Sequence, residues 1–155
     1  MSHGILDGPV EAGEIMGYLP HRYPLQLVDR VISMEMEPEK VLVGIKNVTA
    51  NEPCFQGHFP GNPVFPGVLM IEAMAQAAGM LAHLAAVTEG RQGELYYLAK
   101  VDNAKFNRVV VPGDQLVMTV IQKRIFRGMG QYDCRATVDD RKVASCQLLC
   151  AGRKE

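Results

Sequence analysis

Hydrophobic residues recur with two different periods along this chain. From Val68 to Val87 they cover nearly every side of a helix, and at 1.5 Å per residue a twenty-residue helix is about 30 Å long. Glu72, Gln76 and His83 are the polar interruptions. At 100° per residue, Gln76 lies about 40° from Glu72, His83 about 20° from it and Gly79 about 20° to the other side. They therefore share one narrow stripe. A membrane span of this length would exclude such side chains and would favour Leu and Ile over the abundant Ala and Gly. The expectation is a buried helix with a thin polar seam.

The segments Leu95 to Phe106, Gln115 to Phe126, Gln131 to Val138 and Lys142 to Ala151 are rich in Val, Ile, Tyr, Thr and Phe with partial alternation, which predicts strands. Gly113-Asp114, Gly128-Met129-Gly130 and Asp139-Asp140 supply turns between them. Connections this short predict antiparallel neighbours, because parallel pairing needs a long crossover. Leu25 to Met34 and Val41 to Val48 add two strands before the helix, and Val10 to Leu19 reads as a short helix. One long helix with about six antiparallel strands is an α+β arrangement in which the sheet must wrap the helix. With 155 residues and no repeat or linker, a single domain over 1–155 is expected.

A formal charge of −1 and a pI near 6.4 offer no global electrostatic reason to bind nucleic acid or an anionic membrane. Residues 1–99 carry 5 Lys/Arg against 11 Asp/Glu, however, and residues 100–155 carry 11 against 6. A basic face in the C-terminal third is therefore expected, with Lys105, Arg108, Lys123, Arg124 and Arg127 as its members. Asp7, Glu11 and Glu14 break up the first twenty residues, so no secretory signal is expected and the reading is cytoplasmic. Cys54, Cys134, Cys146 and Cys150 read as reduced thiols, and their spacing suits no zinc knuckle.

Four of the nine prolines fall between Pro53 and Pro66, interleaved with Gly57, Gly61 and Gly67, directly before the helix. This combination predicts a rigid loop. The first amides of a helix lack intrahelical acceptors and sit at its positive dipole end, so Gly67 and Val68 are candidate donors to a developing oxyanion. Glu72, in apolar surroundings, is expected to have a raised pKa and to serve as a neutral acid. His58 is the candidate base, and Gln76, one turn beyond Glu72, is a candidate to orient the carboxyl. Base, acid and backbone donors together suit proton abstraction beside a carbonyl. Cys54 as a nucleophile lacks a partner to hold a thiolate. Met70, Met74 and Met80 suit either a pocket for variable apolar chains or ordinary core filling.

The string Gly57-His58-Phe59-Pro60-Gly61-Asn62-Pro63-Val64-Phe65-Pro66-Gly67-Val68-Leu69, followed by Glu72-Ala73 and Gln76, resembles the (3R)-hydroxyacyl-acyl-carrier-protein dehydratases of the FabZ type. Leu19-Pro20-His21-Arg22-Tyr23-Pro24 with Leu27-Val28-Asp29-Arg30-Val31, and Val101-Asp102-Asn103-Ala104-Lys105-Phe106 with Val111-Pro112-Gly113-Asp114, resemble further parts of that family. Related FabA-type enzymes have Asp at the position of Glu72 and Cys at that of Val68, so this chain sides with the FabZ type. The resemblance implies the hot-dog fold and a homodimer, assembled into a trimer of dimers, with His58 of one chain facing Glu72 of the other. It implies loss of water from a 3-hydroxyacyl chain on acyl carrier protein, with no cofactor or metal. His58 would take the C2 proton, Glu72 would assist loss of the C3 hydroxyl directly or through water, and the Gly67 amide would polarise the thioester. Phe59, Val64, Phe65, Leu69 and Tyr97 would line the acyl tunnel. Phe65 replaces a common Met and Gln26 a common apolar residue, both away from the reacting atoms. The competing expectations are a hot-dog thioesterase, which has no need of the His58 loop, and a non-enzymatic acyl-chain or carrier-binding module.

Overall fold

A computed structural model describes residues 8–93 and 95–153. In chain order the elements are β1 (Val10–Glu11), α1 (Ala12–Ile15), β2 (Arg30–Glu35), β3 (Lys40–Asn47), a 3-10 turn (Pro53–Gln56), α2 (Gly67–Thr88), β4 (Leu95–Phe106), β5 (Gln115–Phe126), β6 (Met129–Val138) and β7 (Arg141–Arg153). The seven strands form one antiparallel sheet in the order β1-β2-β3-β5-β6-β7-β4, with α2 packed on its concave face.

The alternation expected of half-buried strands explains how this sheet covers α2. Leu116, Met118 and Val120 of β5, Tyr132, Cys134 and Ala136 of β6, and Ala144, Cys146 and Leu148 of β7 point inward and are buried. Against them lie Met74, Ala77, Ala78, Leu81 and Leu84 of α2, all essentially inaccessible. The alanines let the helix approach the sheet closely, and each large side chain buried here is worth about 1.5–3 kcal/mol. The sheet, not a bilayer, covers the apolar circumference of α2. The three expected methionines, Met70, Met74 and Met80, are part of this core. Two-residue turns join β5 to β6 and β6 to β7, with positive φ at Arg127 and Gly128 and at Asp139 and Asp140. That conformation matches the twist of adjoining antiparallel strands.

Three expectations need correction. The segment 10–19 is not one helix: Val10–Glu11 pairs with β2, and only Ala12–Ile15 is helical. The predicted strand from Leu25 begins only at Arg30, because the Leu25 carbonyl and the Leu27 amide are satisfied by the Gln76 side chain instead of a neighbouring strand. Finally, β4 and β5 are not neighbours. After Phe106 the chain runs past the start of α2, where Asn107 donates to Val143 and Val110 accepts from Phe65, and Gly113 then donates to Val48. These bonds carry the segment to the far side of the sheet, so β5 pairs with β3 and β4 pairs with β7.

Gly67 marks the tightest point of that crossing, since a Cβ at this position would stand 2.8 Å from Cε1 of Phe106. Gly67→Ala is therefore expected to lower stability by about 1–3 kcal/mol, the usual cost of overpacking. The measurement is the urea midpoint at unchanged slope; a wild-type midpoint would show that the Phe106 ring moves aside freely.

Candidate active site

The loop before α2 is built from short backbone bonds that fix one side chain. His58 donates its amide to Cys54 at 2.9 Å, Phe59 and Asn62 exchange bonds at 3.0 and 2.8 Å around Gly61, and Val64 donates to the His58 carbonyl at 3.0 Å. Gly61 takes φ of +73°, which only glycine adopts readily. The His58 ring stacks on Phe59 with centroids 4.0 Å apart, and its Nδ1 lies 2.7 Å from the Val64 carbonyl. A carbonyl oxygen only accepts, so Nδ1 carries the hydrogen and Nε2 presents its lone pair. Such a nitrogen can receive a proton without any change of tautomer.

Phe65 and Pro66 then lead into α2. The Phe65 amide donates to Val110 at 2.8 Å, and the Leu69 and Met70 amides both reach the Pro66 carbonyl, at 3.0 and 3.1 Å. The Gly67 and Val68 amides precede this bonded turn, at the positive end of the helix. Gly67 shares a cavity of about 460 Å³ with Val64, Phe65, Val68, Met70, Phe106 and Arg108. Val68 is 73% exposed at its mouth.

Glu72 lies five residues on, about 140° around the helix from Gly67. It faces a second cavity, of about 340 Å³, together with residues 16–22, Gln76, His83, Tyr96, Leu98 and Cys150. Gln76 is only 2% exposed and fully engaged: Nε2 donates to Glu72 Oε1 at 2.8 Å and to the Leu25 carbonyl at 2.6 Å, while Oε1 accepts from the Leu27 amide at 2.9 Å. It is thus at once a satisfied core group and a hydrogen-bond partner of the carboxyl. Nε2 of His21 stands 3.4 Å from the same Glu72 oxygen.

The expected rise in the Glu72 pKa is not found. His21 in first place, and Gln76 after the opposing effect of burial, hold the carboxyl below its ordinary value of 4.5. Sequence reasoning treated the seam as apolar surroundings for a lone acid and missed His21. Its signal was its place in the Leu19-Pro20-His21-Arg22-Tyr23-Pro24 string that resembles the family, with nothing in local spacing to connect position 21 to position 72.

The remaining candidates distribute unevenly. Val64 and Phe65 share the Gly67 cavity, Phe59 is half exposed against His58, and Leu69 packs on the core. Tyr97 is 46% exposed on β4, while the adjacent Tyr96 lines the Glu72 cavity. His83 sits edge-on to Tyr18 at 5.2 Å, and its burial lowers its pKa. Burial, reinforced by Glu52, raises the Cys54 thiol and works against a nucleophilic role. The single basic face is not formed. Lys105 lies at the β4 end paired with Ser145, whereas Arg124 and Arg127 lie near the β5–β6 turn, whose Met129 aligns with Ala151 and, through it, Tyr97. Lys123 is paired with Glu39 at 3.3 Å and Arg124 covers the Phe126 ring at 4.4 Å.

Residues 19–147 match the model of the FabA-like domain family. A protein of Xanthomonas campestris pv. campestris named 3-hydroxyacyl-(acyl-carrier-protein) dehydratase FabZ is 50% identical over 155 residues, covering 100% of both chains. A protein of the same name from Tolumonas auensis is 56% identical over 141 residues, covering 90% of this chain and 93% of its own. Among solved structures, the dehydratase heterocomplex ApeI:P of Xenorhabdus doucetiae superposes with a TM-score of 0.77 at 17% identity over 91% of each chain. The PaaI protein of the E. coli phenylacetic acid degradation operon gives 0.60 at 18% identity, over 80% of this chain and 78% of its own. These likenesses establish the hot-dog fold.

The depressed pKa of Glu72 has a consequence for stability. A carboxyl with a folded pKa below its unfolded value stabilises the native state above the unfolded pKa and loses that contribution as pH falls through the folded one. The stability difference between wild type and Glu72→Gln is therefore expected to shrink as pH drops below 4.5, as read from urea unfolding at a series of pH values. A difference independent of pH would show that the carboxyl has no such partners.

Proposed function

Because the chain belongs to the FabA-like family, we propose that it removes water from a 3-hydroxyacyl group carried as a thioester on acyl carrier protein, yielding a trans-2-enoyl thioester in fatty-acid biosynthesis. It acts as a hydro-lyase. The observation that carries the mechanism is the His58 tautomer: with Nδ1 tied to Val64, Nε2 is left as the base for the C2 proton. As charge builds on the thioester oxygen, the Gly67 amide donates to it from the helix N-terminus. The C3–O bond then breaks, C2=C3 forms, and the departing hydroxyl leaves as water.

Glu72 rests as a carboxylate, held there by His21 and Gln76. That favours the route in which Glu72 orients the leaving hydroxyl while the His58 imidazolium returns its newly acquired proton to it. The proton taken from C2 leaves in the water, and both side chains regain their starting states.

Among the described residues His58 does not line the Glu72 cavity, which fits a site shared between two chains, as the family resemblance implies. The sheet supports that reading. β4 is an edge strand with Tyr97, Leu98, Val101 and Phe106 exposed along it. Such an edge with apolar side chains is a template for pairing with another strand. Antiparallel pairing of β4 with its copy would bring the Phe106 end of one strand toward the Leu95 end of the other. The Gly67 cavity, which Phe106 lines, would then adjoin the Glu72 cavity, which Leu95 and Leu98 line. A trimer of such dimers is the assembly that the family resemblance adds. Lys105 and Arg108, exposed beside the Gly67 cavity, are where we place the acidic surface of the carrier, and four free thiols fit a cytoplasmic setting.

The purified protein is expected to hydrate trans-2-enoyl thioesters in the reverse direction, seen as loss of conjugated-enoyl absorbance. His58→Ala and Glu72→Gln should each lower turnover by at least about 10²-fold, the low end for positioned acid–base groups. Mixing the two inactive variants under conditions of subunit exchange should recover activity. Near-normal rates in either variant would remove that residue from the mechanism, and no recovery despite exchange would place the site within one chain. Thioester cleavage without hydration would instead mark a thioesterase, and acyl-chain binding with neither reaction a binding module. Raising salt should weaken carrier-linked turnover more than turnover of a small thioester; equal effects would count against Lys105 and Arg108 as the dock.

A further inference from the structure

Two donors converge on one oxygen of Glu72, and among the described residues none is found on the other. Gln76 Nε2 lies 2.8 Å and His21 Nε2 3.4 Å from Oε1. His21 Nδ1 is buried with no hydrogen-bond partner among the described residues. A hydrogen on that nitrogen would be enclosed against no acceptor, so the hydrogen belongs on Nε2, where it points at the carboxylate. The backbone around His21 is held by Arg22, whose guanidinium donates to the carbonyls of Met16, Leu19 and His21 at 3.0, 2.9 and 2.7 Å.

The charge on Glu72 is therefore met chiefly by His21. Arg22 lines the same cavity, but its guanidinium is turned back onto its own loop. From α2 itself, the imidazole of His83 has its pKa lowered by burial. From β7, burial raises the Cys150 thiol to about 11, which keeps it uncharged at neutral pH. Tyr18 and Tyr96 complete the titratable lining.

We infer that His21 is a positioning residue for the dehydration: with Gln76 it occupies Oε1 of Glu72, so that Oε2 is the oxygen presented to the leaving hydroxyl. This inference rests on the role proposed for Glu72. The effect of His21 on the carboxyl itself can nevertheless be measured without turnover.

The test uses His21→Ala, His21→Phe, which keeps a ring of similar bulk without the N–H, and His21→Gln, which keeps a donor. The Glu72 carboxyl is followed by ¹³C NMR titration in the full-length protein, its signal assigned by its loss in Glu72→Gln. In the Ala and Phe variants the midpoint is expected to move up by about one pH unit, the lower end of the effect of a close partner. Turnover should fall by about tenfold to a hundredfold, with KM for a small enoyl thioester changed by less than about threefold, as a misdirected catalytic group predicts. The limb of the kcat–pH profile that disappears in Glu72→Gln should move in the same direction. His21→Gln should keep most of the turnover. A wild-type midpoint in whichever of the Ala and Phe variants folds would overturn the inference, as would a Gln variant no better than they are. If the wild-type protein hydrates no enoyl thioester, the functional reading fails, and with it the role of Oε2. The titration midpoint then reports only whether His21 holds the carboxyl.

Discussion

The arrangement of the Glu72 cavity depends on one buried amide. A helix apolar on nearly every side can be covered by a sheet in many registers, because apolar contact carries little directional information. Gln76 supplies that direction. With each polar atom bonded and only 2% of its surface exposed, it ties the backbone at Leu25 and Leu27 to the middle of α2 and orients the Glu72 carboxyl in the same network. Leaving a buried amide unpaired costs more than its bonds return when made, so the segment before β2 is held to one position. Residues 16–22, and His21 with them, follow from that anchorage.

The opposite end of the site relies on backbone stiffness. Prolines and glycines in the 57–67 loop restrict the chain so that the His58 side chain has a carbonyl at Nδ1, which leaves the lone pair on Nε2. The same segment delivers Gly67 to the helix start with no side chain, where Phe106 already occupies the room a Cβ would need. The glycine thus serves packing in the single chain and leaves the amide uncovered by any side chain of its own. Both halves of the proposed chemistry are preorganised before a substrate arrives, which is how fixed dipoles lower a barrier without reorganisation at the moment of reaction.

Between these halves stands the edge strand β4, with an exposed apolar row that, in the proposed dimer, would pair with a second copy and bring the two cavities together. An ionised Glu72 also divides the labour differently from a simple acid–base pair. In the proposed mechanism one imidazole would carry the proton from carbon to oxygen, and a carboxylate, steadied on one oxygen, would aim the group that leaves.

Much of this was legible along the chain. The long helix, five of the six expected strands close to their observed limits, the rigid loop and the candidacy of His58, Glu72, Gly67 and Gln76 follow from periodicity, turn chemistry and motif, because each depends on residues near one another in sequence. The placement of β4 beside β7, the late start of β2 and the charge state of Glu72 do not. Each is decided by a partner distant in the chain: Val143 and Val48 for the crossing, Gln76 for the Leu25–Leu27 backbone and His21 for the carboxyl. Burial alone would have raised the Glu72 pKa. A histidine brought from fifty-one positions away reverses that, because a hydrogen bond to the charged form outweighs desolvation when both act on a half-buried group.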